Sequence, residues 1–476
     1  MNFPLTSLIL RPEHCDPLFL LRELGRGREY CALLESVDRQ GTNDYSFVAL
    51  GARDVITVQN GRVSGSRYVP DGAVSDPLSV FKTIVGTGEE GGRLKMGYIG
   101  FLSYESARCF EQIDLEPDPS IPDAMFVLPE VLLRIDHEQH EVTVTMHADS
   151  DEDVDHIRNA VLSSPFFDDR KGRSMSAQTE PVPSRAEGTS ELIIEEISPL
   201  RQTPRNEFIA SAQKIQESIR SGEAFQVVLS QELVMENDVP PERVYAELRR
   251  INPSPYMYCF KTPERTIVGA SPETLIRVDC RNIFYRPIAG TRKRTGDVET
   301  DTQMQQELLH DEKERCEHQM LVDLGRNDVG RVAEIGTVKV RNPFHIEQYA
   351  HVYHIVSDIV ARLRTGLTPM DALRAVFPAG TLTGAPKVRA MEIIRDTEKS
   401  PRGIYGGAFG YIDLRGNLDF AITIRTMLFQ DDKITLRVGA GIVDGSIPER
   451  EDDECLHKAR SCLAAVTLAT ASLVAS

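Results

Sequence analysis

Asp311–Asp328 reads DEKERCEHQMLVDLGRND, about four turns of good helix formers with neither Gly nor Pro before Gly325. At about 100° per residue, Leu309, Glu317, Met320, Leu321 and Leu324 share one arc. Glu314 lies about 60° from Glu317, whereas Glu312, Arg315 and Gln319 face away. The segment therefore reads as a helix that aims two carboxylates, Glu314 and Glu317, into its own buried side. Such a pair is costly unless cations, a metal or protons compensate it. Salt bridges to Arg or Lys are one solution, a hard metal ion a second and protonation a third.

Outward from this helix, strands and helices come in separate runs. Upstream, Ala224–Leu233, Tyr256–Phe260, Thr266–Ala270, Thr274–Val278 and Asn282–Tyr285 have strand composition. Pro204–Ser221, with Thr203 as its N-cap, and Pro241–Ile251 read as helices. Downstream, Val352–Leu363, Pro369–Phe377 and Val388–Arg395 read as helices. Gly406–Asp413, Asn417–Thr426 and Lys433–Val438 then read as antiparallel strands, and Pro448 opens a long final helix. The first part of the chain carries short alternating runs such as Ser46–Leu50, Val55–Gln59 and Val142–His147. This segregation predicts an α+β fold, antiparallel β-sheets packed with outer helices, rather than a doubly wound sheet. Composition divides the chain into a β-rich region over 1–165, a flexible polar linker over 166–192 and a larger domain over 193–476.

Bulk composition removes several classes of function. A chain that is 41% hydrophobic and 26% charged is an ordinary globular protein. No run approaches the roughly 18 apolar residues of a membrane span, and the N-terminus has no basic stretch before its apolar run. The expected location is cytoplasmic. A net charge of −18 argues against nucleic acid as a partner. The eight cysteines are scattered without a C-x-x-C pair, which suits reduced thiols and gives no zinc motif.

The final helix supplies a second acidic pair, Glu451 and Glu454, three residues apart on one face. Acidic residues in a first turn also serve simply to compensate the helix dipole. Two such pairs on separate helices fit Mg²⁺, which takes one or two carboxylates, keeps waters and completes its octahedron with substrate oxygens. Three glycine-bearing stretches, Pro287–Thr291, Gly380–Pro386 and Gly439–Gly441, let backbone N–H groups approach an anion or simply make turns. Arg425, in the middle of the expected strand Ala421–Met427, is an edge charge or a carboxylate clamp.

In order along the chain stand LLES (33–36), FQVVLSQ (225–231), NPSPYM (252–257), GASPE (269–273), PIAGT (287–291), EKERCEHQMLVDLGRND (312–328), HVYHIVSD (351–358), GTLTGAPK (380–387), GIYGGAFGYI (403–412), TIRT (423–426) and GAGIV-DGS (439–446). This series resembles the chorismate-utilising enzymes, most closely their anthranilate synthase large-subunit branch, over nearly all of 203–465. The resemblance implies that 193–476 is the chorismate-binding catalytic domain. It implies that Glu317 and Glu454 are direct Mg²⁺ ligands, with Glu314 and Glu451 beside them. It assigns chorismate's carboxylates to Gly290, Thr291, Tyr405, Arg425 and the backbone of Gly439, Ala440 and Gly441. Glu273 matches the general acid for the C4 hydroxyl, and His354 and Thr381 match residues near the ring and the pyruvyl-releasing step. Leu34, Glu35 and Ser36 with Pro255, Tyr256 and Met257 match the L-tryptophan feedback site. The implied partner is a glutamine amidotransferase subunit that delivers ammonia, in a heterotetramer of two synthase and two glutaminase subunits.

Two positions separate members of the family. Relatives that add water to chorismate carry Lys where Gln226 stands, and a neutral amide cannot act as the base that water needs. Many aminodeoxychorismate synthases carry a nucleophilic Lys in place of Ala289, which a methyl group cannot replace. The expected reaction is chorismate plus ammonia to anthranilate and pyruvate. The alternatives are an aminodeoxychorismate synthase component I and, less close to the motifs, a non-catalytic chorismate or tryptophan sensor.

Overall fold

The computed structural model describes residues 5–37, 43–88, 94–149, 152–165, 167–168, 173–174, 200–348 and 352–474. Among these, the alternating runs assemble into two 12-stranded sheets with antiparallel ladders. The first runs in spatial order Leu5–Leu10, Glu141–His147, Val131–Asp136, Asn43–Leu50, Cys31–Val37, Tyr256–Lys261, Arg265–Ser271, Thr426–Gln430, Lys433–Ile442, Gln226–Glu236 and Leu200–Arg201. Gly384–Ala385 pairs with the start of Gln226–Glu236. The second runs Ile288–Lys293, Val352–Arg362, Asn282–Tyr285, Thr274–Asp279, Leu418–Ile422, Ala408–Asp413, Gly97–Leu102, Ala124–Leu128, Asp54–Gln59, Arg62–Ser64 and Gly72–Ala73. Lys339–Gln348 adds to it beside Val352–Arg362. The α+β expectation of antiparallel sheets with helices holds. Both sheets mix strands from before and after 166–192: Cys31–Val37 pairs with Tyr256–Lys261, and Gly97–Leu102 with Ala408–Asp413. The expected linker falls almost wholly outside the described residues.

The two-residue period of the strands sorts side chains into two cores. Ala32, Tyr258 and Phe260 of the first sheet meet Phe101, Phe126 and Phe420 of the second. Leu33, Cys259 and Leu229 point the other way, against helices Pro17–Leu24, Arg205–Arg220, Pro241–Ile251 and Pro448–Val474.

The helix at Asp311–Asp328 forms as Glu312–Gly330, with the Asp311 carboxylate accepting from the Glu314 N–H at 3.2 Å. Asp311 also ends a preceding helix, Val298–His310, so Leu309 does not belong to the arc drawn through it. The buried face is His318, Leu321, Val322, Gly325 and Val329. Glu314 and Glu317 lie on its margin and are half-buried, which moves them from the core to its edge.

Two further expectations fail. Val352–Leu363 is a strand, not a helix: Tyr353, Ile355, Ser357, Ile359 and Ala361 are buried in alternation, and its β-branched residues suit a pleated surface. Thr203 is not the N-cap of its helix, which begins at Arg205 after Pro204, with no side-chain cap bond.

Candidate active site

Glu273 stands where the chain leaves strand Arg265–Ser271 of one sheet and enters Thr274–Asp279 of the other. The crossover is fixed on both sides: Ser271 Oγ donates to the Ile422 carbonyl at 2.6 Å, and the Ile422 N–H donates to the Glu273 carbonyl at 3.0 Å. Thr381, on the single helical turn Gly380–Thr383, donates its hydroxyl to Glu273 Oε1 at 2.9 Å. Burial pushes the Glu273 carboxyl up to about 7, against the opposing influence of that bond and of Arg425 and Lys458.

His354 projects from strand Val352–Arg362 rather than from a helix. Its Nδ1 lies 2.7 Å from the Gly290 carbonyl and 3.2 Å from Thr291 Oγ1. A carbonyl only accepts, so Nδ1 carries the proton and Nε2 is the acceptor of a neutral ring. Burial pushes His354 down to about 4, which keeps that ring neutral at ordinary pH. Gly290 has a left-handed φ of 66°, and a Cβ there would lie 3.1 Å from Glu314 Oε2. The PIAGT backbone is thus seated against the acidic helix.

The second glutamate pair is felt by the first through Glu454. Burial raises the Glu317 pKa, and Glu314 and Glu454 add to the shift while Lys313 and Lys458 oppose it. Glu451 is raised by burial and by Glu454, with a Ser446 bond opposing. Part of the charge is met by cations: Arg292 lies 3.3 Å from Glu314, and Lys458 lies 2.8 Å from Glu454. Among the described residues no three His, Cys, Asp or Glu converge in metal-holding geometry. Glu317 and Glu451, both raised in part by a neighbouring carboxylate, nonetheless mark an excess of negative charge, which suits a divalent cation.

Strand Lys433–Ile442 sends successive side chains to opposite faces. Gly439 and Gly441 face the site: a Cβ on the first would sit 2.5 Å from the Tyr405 hydroxyl, and on the second 2.4 Å from Gln226 Nε2. Ala440 turns its methyl into the helix-side core, so its side chain is not part of the site. Gln226 is buried, and its Oε1 has no hydrogen-bond partner among the described residues. Arg425 is not in mid-strand. It occupies the break between Leu418–Ile422 and Thr426–Gln430 with φ of 49°, its charge felt by both Glu273 and His354.

The residues matched to tryptophan binding do not share one face. Glu35 lies on the helix side, where Tyr245 O–H donates to it, Arg249 binds it at 2.5 Å and Ser46 at 3.2 Å. Met257, its ladder partner, packs in the same core. Tyr256 and Leu34 pack instead against the core between the sheets, Ser36 is exposed and Pro255 half-buried.

Sequence reasoning missed two cationic groups. Lys458 bridges Glu454 and the Gly439 carbonyl, at 2.9 Å from the latter; its signal was the Glu-to-Lys spacing of four. Lys387 forms a buried pair with Asp328 at 2.7 Å and also donates to the Val376 carbonyl at 3.2 Å. That pair ties the acidic helix to the glycine loop bearing Thr381, and nothing local in the sequence announces it. Among the described residues, no helix is long and apolar enough to cross a membrane.

Residues 29–464 match the family of chorismate binding enzymes. The chain is 39% identical over 449 residues to anthranilate synthase component 1 of Thermus thermophilus, covering 93% of each. It is 37% identical over 481 residues to anthranilate synthase component 1 of Aquifex aeolicus, covering 98% of this chain and 95% of the relative. The crystal structure of anthranilate synthase component I from Streptococcus pneumoniae TIGR4 matches with a TM-score of 0.73 at 32% identity, covering 88% of this chain and 92% of that one. The chain thus belongs to the chorismate binding enzymes, in their anthranilate synthase component 1 branch.

Proposed function

We propose that the chain is the synthase subunit that converts chorismate and ammonia to anthranilate and pyruvate, in the cytoplasm, as the first step of tryptophan biosynthesis. The observation that carries this reading is Glu273, held near neutrality by burial beside Thr381. A carboxyl titrating near 7 is able both to donate a proton and to be recharged. Ammonia adds at C2 while Glu273 protonates the departing C4 hydroxyl, which leaves as water. The C2 proton is then removed, the C3–O bond breaks, and enolpyruvate leaves as the ring aromatises. His354, neutral with Nε2 as acceptor, suits the second step. Mg²⁺ bound by Glu317 and Glu454, with Glu314 and Glu451 beside them, would supply positive charge to a substrate carboxylate.

Gln226 and Ala289 support ammonia as the nucleophile. The amide supplies no general base for water, and the buried methyl at 289 leaves no lysine to form an adduct. Ammonia would come from a glutamine amidotransferase subunit, in a heterotetramer of two subunits of each kind. L-Tryptophan would inhibit through the segments at Glu35–Ser36 and Pro255–Met257.

The test is the purified chain with chorismate, Mg²⁺ and ammonium at alkaline pH. Anthranilate fluorescence without any partner is the expected result. A 4-amino-4-deoxychorismate product would move the chain to the folate-pathway reading, and no turnover even with a glutaminase would favour a sensor.

A further inference from the structure

Tyr256, on the strand next to Cys31–Val37, stands opposite Ser271 in the ladder between Tyr256–Lys261 and Arg265–Ser271. Its side chain packs against the core between the sheets, so its hydroxyl reaches across to the second one. There it donates to Asp419 Oδ1 at 2.8 Å and lies 3.0 Å from Thr274 Oγ1. A phenol has a single proton; with that given to Asp419, the Thr274 hydroxyl must be the donor in the second bond. Burial and the nearby Asp419 charge keep the phenol protonated, its pKa raised well above the ordinary value. Asp419 is itself anchored, opposite Arg277 in its own ladder and within reach of that charge.

Thr274 is the residue after Glu273. It opens strand Thr274–Asp279, and the register of that strand against Leu418–Ile422 slips between Thr274 and Ile276. Thr274 itself pairs with Ala421, and the slip leaves Leu275, one residue on, without a ladder partner, so the strand bends there. The bond from Tyr256 acts beside that bend. We propose that Tyr256 is a positioning residue for the reaction: through Thr274 it holds the crossover that aims Glu273 at Thr381. The strand bearing part of the feedback motif is thereby joined to the acid by one hydroxyl. The inference rests on Glu273 as the general acid.

The experiment compares Tyr256→Phe, Thr274→Val, Thr274→Ser and Glu273→Gln in the full chain, with ammonium as nitrogen donor and melting temperature recorded for each. Tyr256→Phe and Thr274→Val should each lower kcat about tenfold, the scale of one lost buried hydrogen bond, with KM for chorismate unchanged. The double variant should be no slower than either single one, because each removes the same link. Thr274→Ser, which keeps the donor, should restore kcat. Lower melting temperatures with kcat intact would overturn the proposal and leave the bond a purely structural one. If Tyr256→Phe does not fold, the contrast between Thr274→Val and Thr274→Ser decides in its place. An active Glu273→Gln would remove the general-acid reading beneath the inference. An inactive Glu273→Gln beside an unimpaired Tyr256→Phe would remove the inference alone.

Discussion

Glu273 and Glu398 are two glutamates that the fold withdraws from water, and they are held in opposite states. Burial by itself would raise Glu398. Arg402 at 2.6 Å, Arg437 at 3.4 Å and the Ser230 N–H and hydroxyl at 2.8 and 2.9 Å outweigh it and hold the carboxyl below its ordinary value. Glu273 receives the Thr381 hydroxyl at contact distance while Arg425 and Lys458 act through their fields, and burial prevails. Removal from water is common to both, so burial does not tell acid from strut. The number of donors touching the oxygens does. The guanidinium groups of Arg402 and Arg437 lie on Glu398, and that is why burial wins at one glutamate and loses at the other.

The contrast can be broken at several points. Glu273→Gln should lower kcat about 10³-fold, within the range of general-acid catalysis, while chorismate still protects the chain thermally; near-normal turnover would put Glu273 on the same footing as Glu398. Arg402→Met strips Glu398 of its closest partner and leaves a buried charge, which should cost about 3–5 kcal/mol of stability in urea unfolding. A loss under 1 kcal/mol would mean that Arg437 and Ser230 suffice.

The pH dependence runs in a defined direction. Folding raises the Glu273 pKa from its ordinary 4.5 to about 7, so the folded chain binds the proton more tightly. Its contribution is fully present below about pH 4.5 and is lost as pH rises through about 7. Glu273→Gln should therefore be more stable than the parent at pH 8, by on the order of 1–3 kcal/mol, with the difference vanishing in acid. Thr381→Val makes the smallest change. Losing a donor to the charged form raises the acid further, so the fall in rate per unit of free ammonia should move from about pH 7 to higher pH. An unmoved profile would show that Thr381 does not tune Glu273.

Much of the fold was legible because local pattern and final environment agree. The strands from Tyr256 to Tyr285 and the helices at Pro241 and Pro448 form within a residue or two of their expected bounds. Val352–Leu363 misled because its apolar residues satisfy both periods, and only the neighbouring strands decide between them. Asp311, the first residue of the expected helix, stands one place outside it as its cap, a role an aspartate fills better than a helical one. At the site, residue types were readable but orientation was not. Ala440 and Glu35 sit inside their motifs in sequence and turn away from them in space, since a strand sends alternate side chains to opposite faces. The Asp328–Lys387 and Tyr256–Thr274 contacts join distant segments, and no local pattern encodes them.

The interleaving of early and late strands bears on how the chain is made. Gly97–Leu102 has Ala408–Asp413 as one ladder neighbour, which emerges from the ribosome roughly 300 residues later, or some 15–60 s at ordinary synthesis rates. During that interval a wholly apolar strand edge has no permanent partner and is open to pairing with another nascent chain. Crowded overexpression should therefore convert much of this protein to aggregate, and slower synthesis or a chaperone that covers strand edges should raise the soluble yield without any change in sequence.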